Sequence, residues 1–382
     1  MFLESVRNEV LECASCGLCK ANCPVFEDLR IESVSARGKL ILCYNLLTGN
    51  LKPSQKLAER LFQCTTCKAC TTTCLCELDI PKIIEACRSD LIELGLVPRA
   101  IRDVLVSTQR YGNPWNQPKR KRAEWINGLE GVNLKVLSEN ESVRTLYFVG
   151  CTPSYDPRCR EVARSMVRVF SRAGVDFGVL GEEETCCGGP MLRIGERGLF
   201  ELLAERNLES FRRHNVDRVV ATSPHCYNAF KNDYPLDGEG IEAQHYTQFV
   251  ANLIDEGRIS FSKRIGKVVV YHDPCFLGRH NGVYEPPRKI LESIPGLTLI
   301  EMERTRENSF CCGGGGGMIW MESSSSTRPS LNRVQEAANL KPDIIATSCP
   351  FCLLNIEDAV KVMDLEKKIQ VMDIIELVEK AM

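Results

Sequence analysis

The stretch NSFCCG at residues 308–313, extended by glycines to residue 317, is the most informative part of this 382-residue chain. The same Cys-Cys-Gly triplet occurs at residues 186–188, about 125 residues earlier. Each triplet has a cysteine upstream of it and at least one more downstream. Self-similarity at a fixed period indicates two related structural units. Clustered thiols in each unit indicate metal or iron-sulfur binding.

Each unit alternates predicted strands and helices around its cysteines, which predicts a mainly parallel sheet. Sites form beyond the carboxyl ends of parallel strands, so the cysteines of one unit are expected to converge on one edge of its sheet. The predicted elements are strands 145–149, 175–180 and 218–222 with helix 159–172 in the first unit, and strands 267–271, 297–301 and 343–347 with helix 286–293 in the second.

The two units differ in their number of thiols. Five thiolates exceed what one cubane cluster needs, so the second set favours a larger or split cluster. The first unit has Ser223 where the second has Cys349, so its fifth thiol is missing. Its four thiols are compatible with a cubane, a zinc ion, a modified cluster or a metal-free fold. The candidate ligands are Cys151, Cys186, Cys187 and Cys226 in the first unit, and Cys275, Cys311, Cys312, Cys349 and Cys352 in the second.

The glycine run 313–317 directly follows the second cysteine pair. Glycine lets the backbone come close to inorganic sulfide and donate N–H groups without a Cβ clash. The alternative is a flexible linker, which the position of the run disfavours.

Near the N-terminus, the motif C-x2-C-x2-C-x3-C occurs twice with a period of 51 residues. In the bacterial ferredoxin run, three cysteines hold one cluster and the fourth reaches across to the other. Two zinc sites are the alternative, because zinc also uses C-x2-C pairs. The ferredoxin rule predicts two [4Fe–4S] cubanes, one on Cys13, Cys16, Cys19 and Cys74 and the other on Cys64, Cys67, Cys70 and Cys23.

The predicted fold is therefore α+β and multi-domain. A helical module with two cysteine-rich loops is expected over residues 1–100, a linker over 101–140, and two α/β cysteine-rich units over 141–262 and 263–382. Within the module, stretches 37–42 and 57–62 have helix-period apolar positions. The basic run 119–122 is interpreted as a solvated part of the linker, with contact to a partner subunit as the other reading.

Composition excludes several classes of protein. The formal net charge of −2 gives no reason to expect nucleic-acid binding. No stretch reaches the roughly 18–20 apolar residues that span a bilayer, and residues 1–10 lack the pattern of a signal peptide. An odd count of 21 cysteines in a chain of this size argues against a secreted disulfide scaffold. We expect a cytoplasmic protein that reaches the inner face of a membrane only through a partner subunit.

Several stretches resemble one family closely. YHDPCFLGR at 271–279, NSFCCG at 308–313, SCPFC at 348–352 and PHCYN at 224–228 resemble the cysteine-rich domains of heterodisulfide reductase. Fusion with a two-cluster ferredoxin module resembles the HdrD component of that enzyme over nearly the whole chain. The architecture also resembles iron-sulfur subunits of glycolate, lactate and anaerobic glycerol-3-phosphate oxidation, and membrane-associated reductases of sulfate reducers.

The resemblance implies an oxidoreductase subunit of anaerobic metabolism. A noncubane [4Fe–4S] cluster at the second unit would reduce the CoM–S–S–CoB disulfide or a related acceptor in one-electron steps. The cubanes would carry electrons from a haem b membrane subunit or a flavoprotein subunit. Ser223 puts a second such cluster in doubt. The alternative is a pure electron-transfer subunit between a flavin dehydrogenase, or an electron-transfer flavoprotein, and a membrane quinone pool.

Four polar residues crowd the second site. They are expected either to bind an anionic substrate and supply a proton, or to hold the loop and tune the cluster. His225 and Asp233, near the first site, are interpreted as structural groups. The four residues are His272, Asp273, Arg279 and His280.

Overall fold

A computed structural model describes residues 1–129, 131–132, 134–139, 141–321 and 328–382. The N-terminal part is helical and carries both cysteine-rich loops. Side-chain caps begin three of its helices: Ser35, Ser54 and Asp79 accept backbone N–H groups of the first turn. The helices are Arg7–Leu11 (α1), Pro24–Leu29 (α2), Ala36–Leu47 (α3), Gln55–Phe62 (α4), Ile80–Glu93 (α5) and Arg99–Tyr111 (α6).

The first cysteine-rich unit contains a parallel sheet with the strand order β1-β3-β2-β4-β5. Its strands are Lys135–Val136 (β1), Thr145–Phe148 (β2), Gly178–Val179 (β3), Arg218–Ala221 (β4) and Glu242–His245 (β5). Its helices are Cys151–Tyr155 (α7), Pro157–Arg172 (α8), Gly189–Ile194 (α9), Arg197–Arg213 (α10), Pro224–Asn228 (α11), Leu236–Glu239 (α12) and Tyr246–Asp255 (α13).

The second unit repeats this plan with the strand order β7-β6-β8-β9, again with parallel pairing. Its strands are Lys267–Tyr271 (β6), Leu297–Ile300 (β7), Ile344–Thr347 (β8) and Gln370–Asp373 (β9). Its helices are Glu285–Ser293 (α14), Pro329–Asn339 (α15), Pro350–Val362 (α16) and Ile374–Ala381 (α17).

Short 3-10 helices and one π-helical turn connect these elements. The 3-10 helices are Leu3–Val6, Leu18–Lys20, Glu32–Val34, Lys119–Lys121, Glu124–Ile126, Arg306–Asn308 and Met318–Trp320, and the π turn is Ala229–Asp233.

The two units share one hydrophobic core. Polar contacts also join them: the Tyr246 hydroxyl donates to the Asp373 carboxylate at 2.5 Å, and Arg158 pairs with Glu357 and Glu376. The shared core holds the two cysteine-rich edges in a fixed relation.

The predicted helical module and the two parallel sheets are confirmed. Predicted strand 175–180 is shorter, at Gly178–Val179, and strands β1, β5 and β9 were not predicted. The sequence does not predict β5 and β9, because Glu242–His245 and Gln370–Asp373 contain polar residues, which edge strands tolerate.

The described residues of the segment predicted as a linker include helical structure. Helix α6 crosses the predicted boundary at residue 100, and Trp125 is buried. The interpretation of the basic run as wholly solvated is wrong at Arg122. That side chain is buried against the first cysteine-rich unit, whereas residues 119–121 are exposed.

Candidate iron-sulfur sites

The eight cysteines of the N-terminal motifs surround two small cavities in the helical module. Each cavity takes three cysteines from one motif and the fourth from the other, in the crossed arrangement predicted from the sequence. One cavity is lined by Cys13, Cys16, Cys19 and Cys74, and the other by Cys23, Cys64, Cys67 and Cys70.

Both motif loops have left-handed backbone at equivalent positions. Ser15 and Gly17 have φ angles of 53° and 87°, and Thr66 and Lys68 have 51° and 61°. Non-glycine residues in this region cost roughly 1–3 kcal/mol each. Turns of this kind form anion-binding concavities of N–H groups, and the Thr66 N–H donates to the Cys64 Sγ at 3.4 Å. The repeated strain fits two loops that each wrap an anionic cluster.

The spacing of these thiols favours clusters over single zinc ions. Sulfurs around one tetrahedral zinc lie about 3.8 Å apart, because each Zn–S bond is about 2.3 Å long. Within the described part of the chain, the one group of three or more potential ligand atoms lying within 4.8 Å of one another is formed by His272, Cys312 and Cys352. The N-terminal cysteines are therefore spread more widely than a zinc ion requires.

The five cysteines of the second unit converge on the carboxyl edge of its sheet, and all are buried. Neighbouring thiols are in contact around the set, with 3.2 Å between the sulfurs of Cys312 and Cys352. The Gly313 N–H donates to the Cys311 Sγ at 3.4 Å. The structure thus brings together the predicted ligands Cys275, Cys311, Cys312, Cys349 and Cys352.

Hydrogen bonding lowers the pKa of two of these thiols. Contact with Cys311 lowers the pKa of Cys312 well below its usual value, and Cys352 and His272 act in the same direction. Burial raises the pKa of Cys349, but contacts with Cys352 and His225 outweigh it and bring the pKa to about 6. Thiolates are the form that ligates metals.

Two histidines contact this site from different units. His272 lies beside Cys312, and its Nδ1 accepts a hydrogen bond from the Arg333 Nε at 3.1 Å, which leaves Nε2 as the N–H donor. His225 belongs to the first unit, yet its side chain reaches Cys349 of the second and packs against Phe276, with 4.0 Å between ring centroids and 34° between ring planes. His225 therefore serves the second site, not the nearer first one.

The second N-terminal cavity and the second cysteine-rich site touch. The side chains of Cys67 and Cys311 pack together in one small buried cluster with Ala69, Cys275 and Phe276. The two predicted cofactor sites are therefore adjacent.

Arg279 and His280 hold this junction together. The Arg279 guanidinium donates to the Cys67 and Ser309 carbonyls, each at 2.6 Å, and the His280 Nε2 lies 2.8 Å from the Thr66 carbonyl. Asp273 forms a buried ion pair with Arg288 at 2.8 Å. These contacts favour the reading in which the polar residues near the second site hold the loop.

The glycine run packs against the helical module. A Cβ on Gly315 would lie 2.4 Å from the Thr65 carbonyl oxygen, and one on Gly316 would lie 2.2 Å from that of Cys64. The flexible-linker reading is therefore wrong. The glycines allow close approach, as predicted, but the described contact is with the neighbouring cysteine loop.

Arg88 is a buried residue at the same junction. Its guanidinium donates to the carbonyls of Leu61, Cys64, Arg193 and Gly316, at 2.7–3.2 Å. One side chain thus joins the helical module, the first unit and the glycine run. Burial lowers its pKa.

The first cysteine-rich unit brings its four thiols together in a different setting. All four are buried, and Cys151 lies 3.5 Å from Arg122 Nη1. Arg122 also pairs with Glu184 at 2.6 Å, and Glu184 accepts the N–H groups of Val149 and Gly150. The predicted ligands contact one another in turn: Cys186 lies against Cys151 and Cys187, and Cys187 lies against Cys226.

Ser223 has a structural role in this unit. Its hydroxyl caps α11 by accepting the His225 N–H at 3.3 Å. Asp233 pairs with Arg193 at 2.6 Å, which agrees with its interpretation as a structural group.

A cavity of about 420 Å³ reaches the second site from one side. Helices α2 and α4 form one wall, and the second unit forms the other, which includes Cys312 and Gly313. Most of the lining is apolar, and the charged side chains among it are Asp28, Arg60, Arg328 and Asp358.

Sequence reasoning missed Arg88, Arg122 and Arg333. Arg88 and Arg122 contact cysteines 24 and 29 residues away, Arg333 contacts His272, and none of the three arginines belongs to a cysteine motif. His225 was noted but placed at the wrong site, because its nearest cysteine in sequence belongs to the first unit.

Two family models match the chain. A 4Fe-4S dicluster domain matches residues 9–78, and a cysteine-rich domain matches twice, over residues 145–231 and 269–357.

Three of the curated relatives are named as oxidoreductases or a reductase component. The EtfAB:quinone oxidoreductase of Syntrophomonas wolfei is 38% identical over 85% of this chain and 47% of its own length. The probable iron-sulfur-binding oxidoreductase FadF of Bacillus subtilis is 34% identical over 85% and 46%. The HdrD component of the dihydromethanophenazine:CoB–CoM heterodisulfide reductase of Methanosarcina barkeri is 32% identical over 98% and 94%. The chain spans about half the length of the first two and nearly all of the third.

None of the helices in the described part of the chain has the length and apolar character needed to cross a membrane.

Proposed function

The chain belongs to the HdrD-like iron-sulfur proteins. We propose that it passes electrons through two cubanes to a cluster on the five cysteines of the second unit, and that this cluster reduces an acceptor. Its relatives are named oxidoreductases and reductase subunits, and this chain is an oxidoreductase component of that kind. The acceptor is a disulfide of the CoM–S–S–CoB type or a related molecule.

The contact between Cys67 and Cys311 carries the proposal. A ligand of the second cubane touches a ligand of the five-thiol site, so electrons need to cross only a thiol-to-thiol contact. The other cubane lies nearer the surface, since Cys16 is exposed. Electrons therefore enter at the Cys13, Cys16, Cys19 and Cys74 cluster.

The second unit is proposed to hold a noncubane [4Fe–4S] cluster on its five cysteines. Its reduction would supply single electrons to the acceptor. The cavity beside Cys312 gives a molecule access to this edge. At the first unit, the four buried thiols are proposed to hold either a cluster or a zinc ion.

We propose a haem b membrane subunit or a flavoprotein subunit as the electron donor. The protein would then be cytoplasmic and peripheral on the inner face of the membrane through that partner. Exposed Leu18 and Leu75 flank the outer cubane site, where such a subunit would dock.

Turnover of the purified, cluster-loaded protein tests the proposal. With reduced methyl viologen as donor and 2-hydroxyethyl disulfide as acceptor, we expect viologen oxidation matched by thiol release. Cys312→Ala should abolish thiol release and leave viologen-dependent bleaching of the two cubanes intact. Equal turnover in the variant would contradict the assignment of the active site.

A second candidate function is supported by two relatives. The EtfAB:quinone oxidoreductase and FadF are similar to most of this chain, and the name of the first gives EtfAB as its electron donor and a quinone as its acceptor. Here the chain would only carry electrons from an electron-transfer flavoprotein, or from a glycolate, lactate or glycerol-3-phosphate dehydrogenase, to a membrane quinone pool. Fast cluster reduction by such a flavoprotein, without thiol release from a disulfide, would favour this candidate.

A further inference from the structure

The cavity beside the second site joins two parts of the fold that are distant in sequence. Val25 and Leu29 on α2 face it from the helical module, and Met318 and Ile319 face it from the second unit. Its volume of about 420 Å³ lies within the usual range for sites that bind small molecules. Since Cys312 also lines it, a molecule held there lies against the five-thiol site.

Asp28 is an unusual group in this wall. It lies on α2, and its Oδ1 is buried without a hydrogen-bond partner among the residues that the structure describes. Burial raises the pKa of Asp28 to about 6, and the negative charge of neighbouring Glu27 adds to the effect. A carboxyl group that remains protonated near pH 6 is able to donate a proton under mildly acidic conditions.

The charged groups around Asp28 do not neutralise it. Glu27 on the same helix forms an ion pair with Arg304, with 3.4 Å between Glu27 Oε1 and Arg304 Nη1. Arg60 faces the cavity from α4, and on the far wall Arg328 is paired with Asp358. Among the described residues, Asp28 takes part in no ion pair. The lining of this cavity thus includes both Asp28, whose carboxyl has no ion-pair partner among the described residues, and Cys312 of the five-thiol site.

We propose that Asp28 is the proton donor to the acceptor bound in this cavity. The proposal rests on the proposed function, in which electrons reach the acceptor from the five-thiol site. As two electrons from the reduced partner subunit enter the disulfide, its S–S bond breaks and leaves two sulfur anions. The Asp28 carboxyl gives its proton to one of them, and solvent protonates the other and restores the carboxyl. The products are two thiols.

The chemistry needs such a donor inside the cavity. Two protons are consumed for each disulfide, and apolar side chains form most of the wall. A positioned acid contributes typically 10²–10⁴-fold to the rate of a step that requires proton transfer. The donor must be protonated, so turnover should be highest below pH 6 and fall as the pH rises through the pKa of Asp28.

Asp28→Asn tests the proposal, because asparagine keeps the shape and removes the proton. With reduced methyl viologen and 2-hydroxyethyl disulfide, we expect turnover at pH 5.5 to fall by about 10²-fold and the fall in rate between pH 5 and 7 to disappear. Asp103→Asn makes the same change on an exposed face of α6, outside the cavity, and should behave as the unchanged protein. Unchanged turnover and pH profile in Asp28→Asn would overturn the role of Asp28.

A second measurement does not depend on the acceptor. The midpoint potential of the five-thiol cluster, followed by EPR during redox titration, should depend on pH around 6 in the unchanged protein and lose that dependence in Asp28→Asn. Equal pH dependence in both proteins would overturn the proposal. If the unchanged protein releases no thiols at all, the proposed function fails, and the potentials still decide whether Asp28 exchanges its proton with this site.

Discussion

At the scale of single residues, Ser223 separates the two cysteine-rich units. It stands where Cys349 stands in the second unit, and its hydroxyl caps α11 instead of offering a ligand. The His225 ring beyond it contacts Cys349 across the boundary between the units. The first unit therefore lacks one candidate ligand, and its His225 contacts the cysteine site of the second unit.

Ser223→Cys should return a fifth thiol to the first unit. In a Cys312→Ala background, where the second site is disabled, we expect this change to create an EPR signal that responds to added thiols. Thr222→Cys is the matched control, because the Thr222 side chain turns away to the Tyr147 hydroxyl at 2.8 Å. A signal with the control, or none with Ser223→Cys, would show that the fifth thiol is not what distinguishes the units.

At the scale of elements, the glycine run joins the second unit to the cysteine loop before it. Gly316→Ala places a Cβ 2.2 Å from the Cys64 carbonyl oxygen, so the run must move away from the loop. We expect slower electron transfer from the second cubane to the five-thiol site, measured by freeze-quench EPR after reduction with dithionite. Gly266→Ala, where a Cβ meets nothing within 4 Å, should transfer at the unchanged rate. Equal rates in the two variants would contradict the role of the run.

The sequence predicted the elements better than the contacts between them. Cysteine spacing predicted both crossed sets in the helical module, because three ligands of each cluster lie in one motif and the ferredoxin rule assigns the fourth. Alternating strand and helix patterns gave the parallel sheets. The ion pair of Arg122 with Glu184 and the carbonyl contacts of Arg88 could not be predicted, since they depend on how separate units pack. Single arginines also carry no spacing pattern.

At the scale of the whole molecule, the fold brings the cofactor sites into contact. The helical module packs on the second unit so that Cys67 contacts Cys311. Arg88 and Arg279 stabilise this interface by donating to the carbonyls of Gly316 and Cys67, respectively. Both cysteine-rich units share a core, but the second has five candidate thiols and the first has four, and among the described residues Cys275, Phe276 and Cys311 of the second unit pack against Cys67. The molecule is therefore asymmetric despite its internal repeat.

The central claim is that the second unit holds the reacting cluster. EPR of the oxidised protein with added thiols tests it most directly, with Cys312→Ala compared with Cys187→Ala, the equivalent change in the first unit. We predict a thiol-dependent paramagnetic signal that is lost in Cys312→Ala and retained in Cys187→Ala. A signal that survives Cys312→Ala, or that depends on Cys187 instead, would contradict the account.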